Sequence, residues 1–498
     1  MENLKELVSI INKRKISQIE LLDKSLISRK DTLFAKFYDG IADGNIKSDE
    51  EAIAYLYGGK DESTNYRKLK SRFKSRLLNT LYFLDINNSS ETDSSKKAYF
   101  DCVNRLYLSN ILLRYAENRN ASIQLIMETY PLAKKHNFYD ILKEYAYKLL
   151  VYYGMVGDEK KYLEEYDAYQ LYAKEYELEQ KAQIIYSRVL MASTHPKKSK
   201  AEVIGEIQGY MEEIAQLQGQ SKSLVIFFVY IRIQLFYYEL LGDNNKINET
   251  CDIFLNQYNV YTTSILLENY LNTVYIYKLK SLFELRDYDT SLDLIKTILP
   301  QSKGVSYLAV REFEIKVLLN KKEFNRAKEV QQQINSNPAY KNTNPALKER
   351  WYIYNAYREF IENYTLDSSY KFSLSKFSND IPITAQDKSG FNLSARIISI
   401  LFYLGRNDID NTMQQIDALK IYQSRHLKDA GNSRSVLFIK LLLTMEKKSF
   451  NIKELKNLKE YSLLSEEYNN NVVQESEIIF YDILWEMVLE ILKRNQQK

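Results

Sequence analysis

The 498-residue sequence predicts an all-α fold, a solenoid of helical hairpins behind a small N-terminal helical domain. Three observations carry this. Gly (14) and Pro (6) are scarce, whereas all-β folds need many turn residues and α/β folds need glycine at strand–helix junctions. The chain is 45% hydrophobic and 27% charged, apolar enough to bury a core rather than stay disordered. From about residue 98 onward one pattern recurs: an apolar helix, a sharp polar turn, an amphipathic helix. It is clearest in Leu224–Leu241, then Gly242-Asp243-Asn244-Asn245, then Lys246–Tyr258. The length allows several ordinary domains or one elongated repeat array.

Residues 1–95 form the first expected domain. Asn3–Ile11 reads as a short helix, and Ile16–Phe37 alternates apolar and charged residues at helical spacing. Asp39–Asn45, with its glycines, is a break. Ser48 caps a short helix, Asp49–Tyr57, whose first-turn acids suit the positive end of the helix dipole. Gly58-Gly59 ends it. Thr64 or Asn65 caps a longer helix from Tyr66 to about Leu84, with the stripe Tyr66, Leu69, Phe73, Leu77, Leu81 and Leu84. Asp85–Ser95 lacks apolar periodicity and reads as a linker.

Residues 96–475 form the expected array. Turns fall near Glu117–Asn120, Gly157-Asp158, Thr194–Pro196, Gly242-Asp243, Arg286–Asp289, Lys321–Phe324, Asn363–Thr365, Gly405–Asp408 and Lys447–Phe450. Their spacing averages about 41 residues, in the range of helical-hairpin repeats. Apolar first helices are expected at Tyr139–Tyr153, Leu224–Leu241, Leu266–Leu285, Tyr307–Leu319, Lys348–Ile361, Leu393–Leu404 and Val436–Met445. More polar second helices are expected at Tyr162–Tyr176, Ile247–Tyr258, Tyr288–Leu299 and Phe324–Ile334, and Pro300 and Pro338 stand where such helices must stop. One hairpin cannot hide both of its apolar faces, so stacking joins the separate stripes into one core. Residues 476–498 close the chain with an expected capping helix, Ser476–Leu492, carrying charges on one face.

Two segments, Tyr275–Pro300 and Phe313–Ile334, resemble tetratricopeptide (TPR) repeats. An aromatic opens each second helix (Tyr288, Phe324), a small residue follows three positions on (Ser291, Ala327), and a proline follows each pair. The chain departs from that family at Leu279, where the first helix has glycine in the family, and in repeats longer than the family's. The resemblance implies a TPR-like array whose concave face binds a protein or peptide.

The totals exclude several classes. Lys and Arg (69) nearly balance Asp and Glu (65), a net charge of +4 that does not imply nucleic acid for the whole chain. Cys102 and Cys251 lie far apart in apolar helical patterns, which suits free thiols in a reducing compartment. The first residues carry acids rather than a signal-peptide core, so a cytoplasmic location is expected. Leu224–Leu241 is broken by Arg232, Gln234 and Glu239 and reads as a buried helix, with no membrane partner expected. Tyrosine is abundant, at 42 residues. It fills helix interfaces or lines a recognition groove; both readings stay open.

Chemistry-bearing motifs are missing. The three histidines, His136, His195 and His426, have no second His or Cys at ligand spacing, so no metal is expected. No phosphate-binding loop, dinucleotide fingerprint or nucleophile elbow occurs, so no cofactor is expected. The acid pairs Glu164-Glu165, Glu212-Glu213 and Glu466-Glu467 diverge by about 100° on a helix and read as solvated faces. No catalytic residue is assigned, and an enzyme is not expected. One stretch carries a local signal: Lys60 to Arg76 holds Arg67, Lys68, Lys70, Arg72, Lys74 and Arg76. An acidic helix, a glycine turn and a basic helix resemble a helix-turn-helix or winged-helix element. That implies phosphate contacts with salt-dependent, weakly selective binding; a solvated face or an acidic partner are the alternatives. The expected function is a non-catalytic scaffold or adaptor holding a protein or peptide partner. The alternative is a ligand- or peptide-responsive regulator that binds nucleic acid through its basic N-terminal domain, a layout similar to peptide-sensing bacterial regulators. A third reading makes the chain the scaffold subunit of a complex with a separately encoded enzyme. The oligomeric state is left open.

Overall fold

The computed structural model describes residues 32–58, 63–81, 94–115, 120–195, 198–258, 266–341, 343–367, 372–374, 377, 390–427, 433–466 and 477–497. Among them every regular element is helical, as expected. The chain divides into two compact units, Met1–Tyr176 with Thr263–Ile265, and Glu177–Thr262 with Leu266–Lys498. The expected helix Asn3–Ile11, most of Ile16–Phe37, Gly59 and nearly all of the Asp85–Ser95 linker lie outside the described residues, as does the turn at 117–119.

The first unit opens with α1 (Leu33–Ala42), α2 (Asp49–Tyr57) and α3 (Ser63–Leu81) around Phe37, Ala52, Tyr66, Leu69 and Phe73. The Ser48 hydroxyl accepts from Glu51 N at 3.2 Å, the expected cap, and Gly58 closes α2 at φ 64°. The expected break at Asp39 begins only at Asp43. Gly40 is not a helix breaker but a place of close approach: Ile46 N donates to its carbonyl at 2.9 Å, and a Cβ there would meet Ile46 Cδ1 at 2.6 Å. Helix α3 starts earlier than expected, so Thr64 and Asn65 sit in its first turn, and Leu77 of the expected stripe is exposed.

Next come α4 (Ser94–Tyr115), α5 (Asn120–His136), α6 (Tyr139–Val156) and α7 (Glu159–Thr194). Cys102, Ile126, Ala133, Leu142 and Tyr145 meet in their core. Hydroxyls inside it are satisfied: Tyr145 donates to the Cys102 carbonyl at 2.8 Å, and Ser109 and Ser122 share a 2.8 Å bond. The second helix expected to end at Tyr176 runs on to Thr194. No Gly or Pro interrupts 177–194, and Leu178, Ala182, Ile185, Val189 and Ala192 continue a buried stripe. The division between the two units therefore falls inside a helix.

The second unit continues with α8 (Lys200–Gln220), α9 (Leu224–Leu241), α10 (Asn244–Tyr258), α11 (Leu266–Glu284), α12 (Tyr288–Ile298), α13 (Gly304–Asn320), α14 (Phe324–Ser336), α15 (Pro338–Lys341) and α16 (Pro345–Thr365). After these follow α17 (Phe391–Gly405), α18 (Ile409–His426), α19 (Ser433–Lys447), α20 (Ile452–Leu455), α21 (Lys459–Glu466) and α22 (Tyr481–Gln497). Helix α9 is long and apolar enough to cross a membrane, yet Ile226, Phe228, Ile231, Ile233 and Leu235 are buried against α8, α10 and α11. Tyr288 and Phe324 open α12 and α14 as expected, with Ser291 and Ala327 fully buried.

One local geometry recurs at the turns. The first or second residue after the helix takes left-handed φ: 52° at Asn137, 73° at Gly157, 75° at Gly242, 60° at Arg286 and Lys322, 57° at Asn407 and 48° at Ser449. The next N–H then reaches back five residues, as Asp158 to the Tyr153 carbonyl (3.1 Å), Asp287 to Leu282 (2.9 Å) and Asp408 to Tyr403 (3.0 Å). This closes the carbonyls left open at the helix end. The same Asp caps the following helix: Asp158, Asp243, Asp287 and Asp408 accept from the N–H three residues on, at 3.0–3.2 Å.

The final helix starts five residues later than expected, and Ser476 lies outside the described residues. It exposes Glu486, Glu490 and Lys493 on one face, while Tyr481, Leu484, Trp485, Met487 and Val488 are fully buried. With Ile478, Ile479 and Phe480 it fills the core shared by α13, α16, α17, α19 and α21.

Candidate functional site

The basic helix is the first candidate. Arg67, Lys70 and Lys74 follow one edge of α3 and Lys68 and Arg72 the other, leaving Tyr66, Leu69 and Phe73 to the core. The six cations are not one free stripe. Lys70 Nζ is 2.6 Å from Asp49, and the Arg76 guanidinium lies 4.3 Å from the Phe34 ring centre. The Lys70 ammonium and the Tyr66 hydroxyl together hold the Asp49 carboxyl below its usual range. Asp49 of α2 thus stands beside Lys70 of α3 and offsets part of the field of the basic helix. Arg67, Lys68, Arg72 and Lys74 are exposed; Lys60 lies outside the described residues.

Groups that commonly carry chemistry are dispersed. Among the described residues no three His, Cys, Asp or Glu side chains come together as a metal-holding set. His136 is buried at the end of α5 with its ring stacked on Phe138, and His426 packs against Tyr422. Burial pushes the Cys102 thiol up to about 11 and the Cys251 thiol up to about 12, far from a reactive thiolate. The acid pairs separate. Glu165 turns inward to accept from Tyr130 OH at 2.8 Å while Glu164 stays exposed, and Glu213 reaches Arg188 at 3.4 Å. Glu467 lies outside the described residues.

The second unit grips its own last segment. The fully buried Arg434 holds Glu477 through Nη2 at 2.6 Å and Nε at 3.0 Å, and donates to the Leu464 carbonyl at 2.6 Å. Glu477 also accepts from Tyr481 N at 3.0 Å, placing its charge at the positive end of α22. Asn320, at the end of α13, donates to the Ile478 carbonyl at 2.9 Å and accepts from Phe480 N at 3.0 Å. Phe480 stacks on Phe283, and Arg286 pairs with Asp482 at 2.7 Å. Farther along, Tyr364 donates to Glu490 and Asn495 to the Leu404 carbonyl.

In the first unit, one hairpin carries exposed apolar and aromatic side chains. Helices α6 and α7 form a hairpin. Its inner side, Tyr145, Leu149 and Tyr153, joins the core of α4 and α5. On its outer side Tyr147, Val151 and Met155 recur at every fourth residue of α6, beside Tyr162, Tyr166 and Tyr169 on α7. The Tyr147 and Tyr169 rings lie 5.9 Å apart, and Tyr162 packs against Gly154, where a Cβ would come within 3.3 Å of its ring. Tyr147 is 51% exposed, Val151 43%, Met155 60% and Tyr166 44%. Sequence reading did not single out these residues, although α6 is apolar on two sides rather than one. Compared with known family models, curated proteins and solved structures, the chain matches none.

Proposed function

We propose that the helical hairpins form a TPR-like array and that the chain is a non-catalytic scaffold, with the outer face of the α6–α7 hairpin as a protein-docking surface. One observation supports this above the others: large side chains on both helices of that hairpin stand exposed in a continuous row. Soluble surfaces rarely leave such rows without a use. Tyrosine adds area at small entropic cost and a polar tip for hydrogen bonds. The expected groove of the second unit is a poorer docking place, because residues 478–492 already fill the core between its helices.

The test is direct binding. Partners captured with the full chain are purified and titrated against it by calorimetry; a saturable complex that needs Tyr147 and Tyr166 supports the scaffold. Turnover of a substrate by the chain alone, abolished by one point change, overturns it. The competing reading assigns Arg67, Lys68, Lys70, Arg72, Lys74 and Arg76 to nucleic-acid phosphates. It predicts a gel shift whose affinity falls steeply with salt, removed when Arg67, Lys70 and Lys74 become Glu; no retardation at low salt eliminates it.

A further inference from the structure

We propose that the outer face of the α6–α7 hairpin seats the same face of a second copy of this chain, making a twofold dimer. This rests on reading the chain as a protein-binding scaffold and names the partner of that surface.

Three observations favour a second copy. The first is shape. Two other apolar helix faces are covered by helices of their own kind: the Phe228 and Ile231 side of α9 lies under α10 and α11, and α17 lies against α16, α18 and α22. Within the first unit the α6–α7 hairpin has such a cover on its inner side, from α4 and α5, and carries exposed side chains on the other. A matching hairpin supplies a cover there. The second is area. Six large side chains, several near half exposed, offer on the order of 500 Å². With the rim added, this approaches the roughly 800 Å² that each partner buries in a standard interface. The third is charge. The rim carries both signs, Lys143 and Lys148 beside Glu144 at one end and Glu159 at the other, so a copy applied to itself does not meet a surface of uniform sign. A twofold operator uses one patch twice, which suits a row of like side chains along two antiparallel helices.

The mass of the full chain in solution, measured by sedimentation velocity from low to high micromolar concentration, tests this. The expected mass is twice 58.8 kDa. Val151→Glu with Met155→Glu places one charge at the middle of the α6 row and one at its end, and is expected to leave only monomer over the same range, a loss of at least about 100-fold in affinity. Val305→Glu, at an 80% exposed position of α13, is expected to leave the dimer unchanged. If the double variant loses its helical circular dichroism, Tyr147→Ala with Tyr166→Ala replaces it, and amide protection over 144–170 must rise with concentration in the unaltered chain. A mass of 58.8 kDa throughout, or a dimer indifferent to both variants, overturns the proposal. So does a monomer that takes up a foreign amphipathic helix on this face. Failure of the scaffold reading shows itself separately, as substrate turnover, which the mass does not register.

Discussion

At the residue scale the sharpest test is a buried acid. Glu284 ends α11 almost fully enclosed, with Lys280 on its own helix, Glu239 on α9, Asn244 at the start of α10 and Lys316 on α13 around it. Burial is the largest influence and pushes its carboxyl up to about 7 from 4.5, against the pull of Lys280 and the hydrogen bond from Asn244. The sign follows from linkage. The folded state binds this proton more tightly than the unfolded chain, so the contribution is fully present at low pH and is lost as pH rises from about 4.5 through about 7. Glu284→Gln keeps the hydrogen-bonding shape without the charge. Urea unfolding above pH 7 should show a gain of a few kcal/mol, about 3 at most, with a flatter profile between the two values. An unchanged profile would show that Glu284 is better solvated than its burial implies. The tyrosines carry a related lesson. Sequence left open whether 42 of them fill interfaces or recognise a partner, and the structure divides them. Tyr145, Tyr277 and Tyr357 tie neighbouring helices through their hydroxyls, whereas Tyr147 and Tyr166 face outward. Composition cannot make that division, because a tyrosine's role depends on which side of its helix meets another.

At the element scale the helices were legible and their limits were less so. Apolar spacing located α9 to the residue and α12 to within one residue, because a left-handed turn and an Asp cap bracket each start or end. It stopped α7 eighteen residues short, since an exposed polar face hides the continuing stripe from Leu178 to Ala192. It also misread Gly40, whose missing side chain admits Ile46 rather than ending the helix. The turns themselves make a prediction. Left-handed φ is easy for glycine and costs other residues about 1 kcal/mol. Gly242→Ala is therefore expected to lower the stability of the α9–α10 hairpin by about 1 kcal/mol. Asn407→Gly, at φ 57° before α18, is expected to lose nothing or gain several tenths. Thermal unfolding of both variants checks the pair. Equal destabilisation would mean that these turns are held by their surroundings and not by backbone preference.

At the scale of the whole molecule, the two candidate surfaces differ in how far sequence could reach them. The cations of α3 were visible as letters, but their pairing with Asp49 and the Phe34 ring needed the fold. The α6–α7 face was hidden, because a helix apolar on two sides reads the same whether both sides are covered or one is bare. The last segment shows the converse. Its charged face is plain in sequence, yet the contacts that hold it come from residues up to about two hundred positions away, as Arg286 with Asp482 and Asn320 with Ile478 and Phe480 show. Magnitude decides whether it is a releasable strap or part of the core. Eight fully buried apolar residues, Ile478 to Val488, contribute about 1.5–3 kcal/mol each for large side chains. Together they rival the whole net stability of a typical domain, about 5–15 kcal/mol. A chain ending at residue 476 should therefore lose amide protection throughout α13 and α16–α19, which share one core with the segment. Helices α8–α10 close separate clusters and should stay protected. Hydrogen exchange read by mass spectrometry distinguishes the outcomes. If α13 and α16–α19 keep their protection in the shortened chain, the segment is a detachable strap and the second unit's groove is open to a partner after all. If protection collapses there alone, the last helix is part of what the second unit is built on.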